Sequence, residues 1–149
     1  MPADSERALP ALPHTWRPFG IRLAVLGFGL TLAVVCGAAW FGFDESVRDR
    51  FTLLQRGTLF VFAVGGGTCG WALARARVTA EQARLVVVNG FRTRELAWEE
   101  VLSVHLPPGA PWASLDLADG TTISAMALQG SDGSRAQTGV RQLRALINR

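Results

Sequence analysis

Two long apolar stretches without a charged residue dominate the first half of the chain. They run from Leu23 to Phe43 and from Gly57 to Ala74, and they contain 21 and 18 residues. An α-helix rises about 1.5 Å per residue, and about 20 apolar residues cross the hydrocarbon core of a bilayer. The pattern therefore predicts two transmembrane helices, which a short loop joins into an antiparallel hairpin.

From Val78 onward the apolar residues follow the period of strands. Segments 84–88 and 91–97 flank Asn89-Gly90, a dipeptide typical of a two-residue hairpin turn. This register predicts that Val88 faces Phe91 and that Arg84 faces Glu95. A further strand is expected over 101–106.

A second hairpin follows a proline-rich loop at 107–111. Segments 112–117 and 121–126 flank Asp119-Gly120, and Leu115 and Leu117 alternate with Ser114 and Asp116. The alternation predicts a strand with one buried face.

The chain ends in a helical pattern. Ala136, Val140, Leu143 and Ile147 recur at helical spacing, which predicts an amphipathic helix over 134–148 with Ser131 and Asp132 as possible caps. Residues 1–20 contain four prolines among charged residues, and we expect a flexible cytoplasmic tail. The predicted organisation is a tail (1–20), a helix hairpin (21–75) and a domain (76–149) of antiparallel strands and one helix.

The distribution of arginine predicts an orientation. All 15 basic residues are Arg; three precede the first span, five follow the second within about 20 residues, and three lie in the connecting loop. Cytoplasmic loops are enriched in basic residues, so both termini are expected in the cytoplasm and the protein in the plasma membrane. The net charge of +3 does not provide a basic surface for nucleic acid.

Small residues recur at helical spacing on both predicted spans. Such residues allow the backbones of two helices to approach closely, so they predict a packing seam within the hairpin. The seam consists of Gly29, Ala33 and Gly37 on the first helix and Gly66, Gly70 and Ala74 on the second. Residues 65–70 also match the letters of a dinucleotide-binding fingerprint, but they follow no strand, so we expect no cofactor.

Catalytic chemistry has little support in the sequence. His14 lies in the predicted tail, and His105 alternates with apolar residues in a strand, where a position at the surface or rim is expected. Glu99 and Glu100 are adjacent and are interpreted as a solvated turn. No spacing suggests a metal site, so we predict no enzyme, no metal and no small-molecule substrate.

Several short motifs together resemble a known family. The domain resembles the bacterial PH-domain family of actinobacterial membrane proteins, a group that includes low molecular weight protein antigen 6 and in which two preceding spans are usual. The motifs are 78–81, 85–94, Trp98-Glu99-Glu100-Val101, 107–113, 117–120 and the final helix. The resemblance implies a PH-like open barrel of five to seven antiparallel strands that the C-terminal helix closes at one end.

The resemblance says little about chemistry. Only a few residues join the second span to the first predicted strand, so the domain must lie near the headgroups, where Arg75, Arg77, Arg92 and Arg94 are candidate contacts with anionic lipid. We predict a non-enzymatic, membrane-anchored PH-like module at the cytoplasmic face that binds a protein partner or anionic headgroups. The alternative is an accessory subunit of a membrane complex that acts through its helix hairpin, with the barrel as a stabilising cap.

Overall fold

A computed structural model describes residues 9–149 of the chain. These residues form two compact units: one contains the segment up to Gly20 together with Arg75–Arg149, and the other contains Ile21–Ala74. The unit that follows the helices therefore also includes residues that precede them.

The helical unit contains two long helices and one short one. They are α1 (Gly20–Gly42), α2 (Glu45–Arg48) and α3 (Leu53–Ala74), and α1 and α3 are long and apolar enough to cross a membrane. Helix α3 begins four residues before the predicted start. The reason is a capping arrangement that the charge pattern does not reveal: the N–H of Gln55 donates to the hydroxyl of Thr52, and the N–H of Thr52 donates to Oε1 of Gln55.

The connection between the long helices is lined by aromatic rings. The ring of Phe51 packs edge-on against Trp40 and stacks with Phe43, at centroid distances of 5.8 and 6.5 Å. Arg56 lies within α3, and its guanidinium donates to the carbonyl oxygens of Arg48 and Phe51. The loop is therefore ordered by its own side chains.

The predicted packing seam is wrong at three of its glycines. A Cβ atom added at Gly29, Gly37 or Gly66 would meet no atom within 4 Å, whereas one at Gly70 would lie 3.0 Å from Cγ1 of Val25. The helices therefore approach each other at Gly70. Both helices are apolar on every side, so the spacing of small residues alone does not select the face that packs.

The other unit contains seven strands in two antiparallel sheets. Sheet A has the order β1-β2-β3-β4 and sheet B the order β5-β6-β7, and the two sheets do not close into a barrel. The strands are β1 (His14–Trp16), β2 (Arg77–Ala80), β3 (Arg84–Asn89), β4 (Arg92–Ala97), β5 (Val101–His105), β6 (Trp112–Leu117) and β7 (Thr122–Gln129). Short 3₁₀ turns lie at Trp98–Glu100 and Gly130–Asp132.

Strand β1 corrects the prediction of a flexible tail over 1–20. It pairs antiparallel with β2 in a register that places Thr15 opposite Thr79 and Trp16 opposite Val78. Trp16 is buried, and its indole N–H donates to Oε1 of Gln142 at 3.1 Å. Residues 9–20 therefore belong to the folded unit, while residues 1–8 lie outside the described part of the chain.

The first hairpin forms, but its register differs from the predicted one. Asn89 pairs with Arg92, so the two turn residues are Gly90 and Phe91, and Arg84 lies opposite Ala97. Gly90 has a φ of 58° and no non-glycine residue among those described has a positive φ, which is the φ pattern of a type II′ turn. Arg84 still reaches Glu95 diagonally at 2.6 Å.

The later elements agree with the prediction. Leu115 and Leu117 are buried, and the second hairpin turns through Gly120, whose φ is 82°. Helix α4 (Ser134–Ile147) buries Ala136, Val140 and Leu143. The predicted capping role of Asp132 is wrong, because its carboxylate accepts hydrogen bonds from the N–H groups of Phe19 and Gly20 instead.

One hydrophobic core joins the two sheets and α4. It takes residues from all seven strands, with Leu85, Leu115 and Leu143 among the fully buried side chains. The core therefore fixes the faces on which the remaining polar residues lie.

Candidate functional site

Two of the four predicted arginines lie on the core-facing side of sheet A, toward the turn of the first hairpin. In sheet A the pairs Leu85–Leu96, Val87–Arg94 and Asn89–Arg92 share one face. Leu85 and Val87 are buried on this face, while Arg92 and Arg94 are exposed. The apolar face therefore becomes cationic toward the tip of the hairpin.

These arginines form one wall of a groove between strands β3 and β4 and strand β7. The groove has a volume of about 460 Å³. Residues with hydroxyl groups and residues with apolar side chains contribute the rest of the lining. The lining residues are Val87, Asn89, Arg92, Arg94, Thr122, Ile123, Ser124 and Met126.

Asn89 connects the two walls of the groove. Its amide nitrogen donates to the carbonyl oxygen of Ser124, and its amide oxygen accepts from the N–H of Met126 at 3.1 Å. The side chain thus mimics a neighbouring strand along β7. Because both the NH₂ group and the oxygen of its amide are hydrogen-bonded to β7, Asn89 holds β3 and β7 at a fixed separation in the groove.

A carboxylate lies near the cationic wall. Asp119, in the turn between β6 and β7, accepts hydrogen bonds from the hydroxyl and the N–H of Thr121 at 2.7 and 2.9 Å. These bonds lower the pKa of Asp119, and the positive charge of Arg94 contributes in the same direction. The carboxylate of Asp119 is therefore hydrogen-bonded within its own turn. Arg94 is close enough to interact with this carboxylate electrostatically.

The other two predicted arginines lie elsewhere. Arg77 is paired with Val88, whose other partner is Thr93, so it lies on the opposite face of sheet A from Arg92 and Arg94. Arg75 lies between α3 and β2. The four arginines therefore do not converge on one ligand, and the groove contains two of them.

A second polar cluster lies on strands β5, β6 and β7. Asp116 accepts hydrogen bonds from the hydroxyls of Ser103 at 2.6 Å and Thr122 at 3.1 Å, and Nδ1 of His105 lies 3.3 Å from its Oδ2. The hydrogen bonds from Ser103 and then Thr122 lower the pKa of Asp116, and His105 adds to the effect.

This cluster does not have the arrangement of a nucleophilic triad. In a triad the imidazole lies between the serine hydroxyl and the carboxylate, whereas here the carboxylate itself accepts the hydroxyl of Ser103. The side chain of His105 is half-exposed, as expected for a surface position.

The remaining candidate residues have structural partners. Glu100 accepts the N–H of Ala97 at 2.7 Å, which completes the 3₁₀ turn, and the indole of Trp98 donates to the carbonyl oxygen of Glu81. Among residues 9–149 no group of three or more His, Cys, Asp or Glu side chains could hold a metal ion.

Sequence reasoning named Arg92 and Arg94 as candidates but did not predict the residues of β7 that line the same groove. Thr122, Ser124 and Met126 lie about thirty residues further along the chain, and no local signal links them to the first hairpin. Asn89 was assigned to the turn because Asn-Gly favours one. Its side-chain hydrogen bonds to the backbone of β7 were therefore not predicted.

Comparison with known proteins supports the architecture. A family model described as a bacterial PH domain matches residues 75–146. Uncharacterized proteins of Mycobacterium bovis and Mycobacterium tuberculosis are each 32% identical over 145 residues, which cover 92% of this chain and 86% of theirs. No solved structure matches the chain. The similarity to the mycobacterial proteins extends beyond the matched domain and includes the helical unit.

Proposed function

This chain belongs to the bacterial PH domain family, and we propose that it is a non-enzymatic interaction module that α1 and α3 anchor in the plasma membrane. In this proposal the groove beside Arg92 and Arg94 binds an anionic lipid headgroup. PH domains are generally non-catalytic. The observation that carries the proposal is that two exposed arginine side chains line one groove, which Thr122 and Ser124 also line.

The chemistry of the groove suits a phosphate group. Guanidinium groups donate two parallel hydrogen bonds to phosphate oxygens, and the hydroxyl of Ser124 can donate a further one. Near an anionic leaflet each arginine contributes about 1 kcal/mol of attraction, which salt weakens. The apolar part of the lining can accept the glycerol and acyl portion of a lipid.

Strand pairing supports a topology in which both ends of the hairpin lie on one side of the membrane. Strand β1 precedes α1, β2 follows α3, and the two strands pair directly. Paired strands cannot lie on opposite sides of a bilayer. The arginine distribution favours the cytoplasm as that side.

The topology can be tested with single cysteines at Ser46 and Ser134 in a background that lacks Cys36 and Cys69. In whole cells an impermeant thiol reagent should label the cysteine at position 46, in the α1–α3 connection, and should not label position 134. The opposite pattern of labelling would contradict the orientation.

Headgroup binding can be tested on the full chain in uncharged detergent micelles. A water-soluble short-chain phosphatidylglycerol should shift the backbone amide resonances of Thr122 and Ser124 at low salt, and the corresponding phosphatidylcholine should not. Arg92→Ala with Arg94→Ala should abolish the shifts.

The matched control is Arg141→Ala with Arg149→Ala, which removes the same charge from residues outside the groove. Equal shifts in both double variants, or no shifts in the wild-type chain, would refute headgroup binding. A protein partner, or an accessory subunit acting through its hairpin, would then be the better hypothesis.

A further inference from the structure

The tip of the first hairpin carries an aromatic residue, Phe91, with a large exposed surface. Phe91 is the second residue of the β3–β4 turn, and 65% of its surface is exposed. Arg92 follows it directly, and Arg94 is the next residue on the same face of β4. An exposed apolar ring with cationic neighbours is costly in water but suited to the interface between headgroups and acyl chains.

The strand register places this tip at a particular end of sheet A. Trp16, the last residue of β1, pairs with Val78, and Arg77, the first residue of β2, pairs with Val88, which lies next to the turn. The chain therefore enters α1 and returns from α3 at the same end of the sheet as Phe91. Only residues 75 and 76 separate α3 from β2.

The charged residues are distributed unevenly between the two ends of the sheet. The end that carries Phe91 also carries Arg77, Arg92 and Arg94. At the opposite end, acidic residues surround Arg84, whose guanidinium pairs with Glu81 at 2.8 Å and with Glu95 at 2.6 Å. A sheet with a basic, aromatic end and an opposite end whose arginine is paired with carboxylates favours a single orientation toward an anionic surface.

We infer that the Gly90-Phe91 tip enters the interfacial layer of the leaflet in which the helices are anchored. The partner is the lipid surface itself: Phe91 lies among the upper acyl chains, and Arg92 and Arg94 lie at the level of the phosphates. This inference rests on the proposed membrane anchoring of α1 and α3, and it adds a third point of contact that sets the depth of the groove.

The inference can be tested by measuring depth on the full chain in vesicles of phosphatidylcholine and phosphatidylglycerol. In a Cys36→Ala, Cys69→Ala background, a fluorophore is attached at Phe91→Cys, at Ala83→Cys or at Val34→Cys. Ala83 is exposed in the turn at the opposite end of the same sheet, and Val34 is exposed in the middle of α1. Lipids that carry a nitroxide quencher near the top of the acyl chain report contact with the interface.

We expect a loss of fluorescence at position 91 and no loss at position 83, while a quencher deep in the chain should reduce the fluorescence at position 34. Quenching at 34 but not at 91 would overturn the inference and leave the membrane anchoring intact. Equal quenching at 91 and 83 would overturn it as well, because the two ends of the sheet would not differ. No quenching at 34 would overturn both the anchoring and the inference.

Discussion

The indole of Trp16 is the side chain by which the N-terminal segment joins the folded unit. Trp16 is 8% exposed, pairs with Val78 in sheet A, and donates a hydrogen bond to Gln142 of α4. An added Cβ at Gly139 would lie only 3.0 Å from Cδ1 of the indole, so the ring lies directly against the backbone of the helix. We predict that Trp16→Ala severely destabilises the unit.

The magnitude follows from the burial. Replacing a buried tryptophan with alanine costs about 3 to 5 kcal/mol, whereas a whole domain is stable by only about 5 to 15 kcal/mol. With a denaturant dependence of about 1 kcal/mol per molar urea for a small domain, the unfolding midpoint should fall by about 3 M or more. Trp16→Phe retains most of the apolar contact and loses the hydrogen bond, which is a change of about 1 kcal/mol.

The assay is pulse proteolysis of the full chain in detergent across a series of urea concentrations. It measures the unfolded fraction of the unit that contains the two sheets and α4. Trp16→Ala should shift the midpoint several times further than Trp16→Phe. An alanine variant whose midpoint stays within about 1 M of the wild type would refute the placement of β1 in the sheet.

Two further predictions concern the helices and the surface of sheet B. Gly70→Leu should destabilise the helix pair by about 1 to 3 kcal/mol in a detergent melt, because the leucine side chain would enter the space of α1. Gly37→Leu should have little effect, because the site is open. Equal losses of stability in the two variants would contradict this packing of the helices. Asp116 has a lowered pKa because Ser103 and Thr122 donate hydrogen bonds to its carboxylate, so the unfolded chain binds its proton more readily. The stability that it contributes should be present above about pH 4 and lost as the pH falls further, and urea midpoints of Asp116→Asn should therefore depend less on acid than those of the wild type.

Local signals predicted most of the later elements. Gly90 and Gly120 both adopt a positive φ in the turns where the sequence placed them, and α4 buries the predicted Ala136, Val140 and Leu143. Each of these signals depends on residues within one or two turns of the chain. Because these signals are local, the elements that they predict did not depend on knowledge of the surrounding fold.

The register of the first hairpin differs from the predicted one because of a contact between residues that are distant in the sequence. Asn89 was predicted to occupy the turn, where asparagine tolerates unusual backbone angles. In the structure it is the last residue of β3, and its amide bridges to the backbone of β7. The contact across the two sheets therefore outweighed the turn preference, and Gly90 with Phe91 formed the turn instead.

Strand β1 was missed because its signal is short and its partner is distant. It contains three residues among prolines, and Thr15 and Thr79 are 64 positions apart, yet their hydroxyls are hydrogen-bonded at 3.1 Å. The predicted domain of 76–149 therefore did not include this strand. The structure supplies the seventh strand from the segment before the helices.

The position of the helix hairpin between β1 and β2 links the folding of the two units. Closing a long flexible loop costs entropy, but a helix hairpin brings its own ends together: Gly70, near the end of α3, lies against Val25, near the start of α1. Once α1 and α3 have paired, β1 and β2 start close to each other, and the cost of joining them is small. Pairing of the helices therefore lowers the entropic cost of completing the sheet.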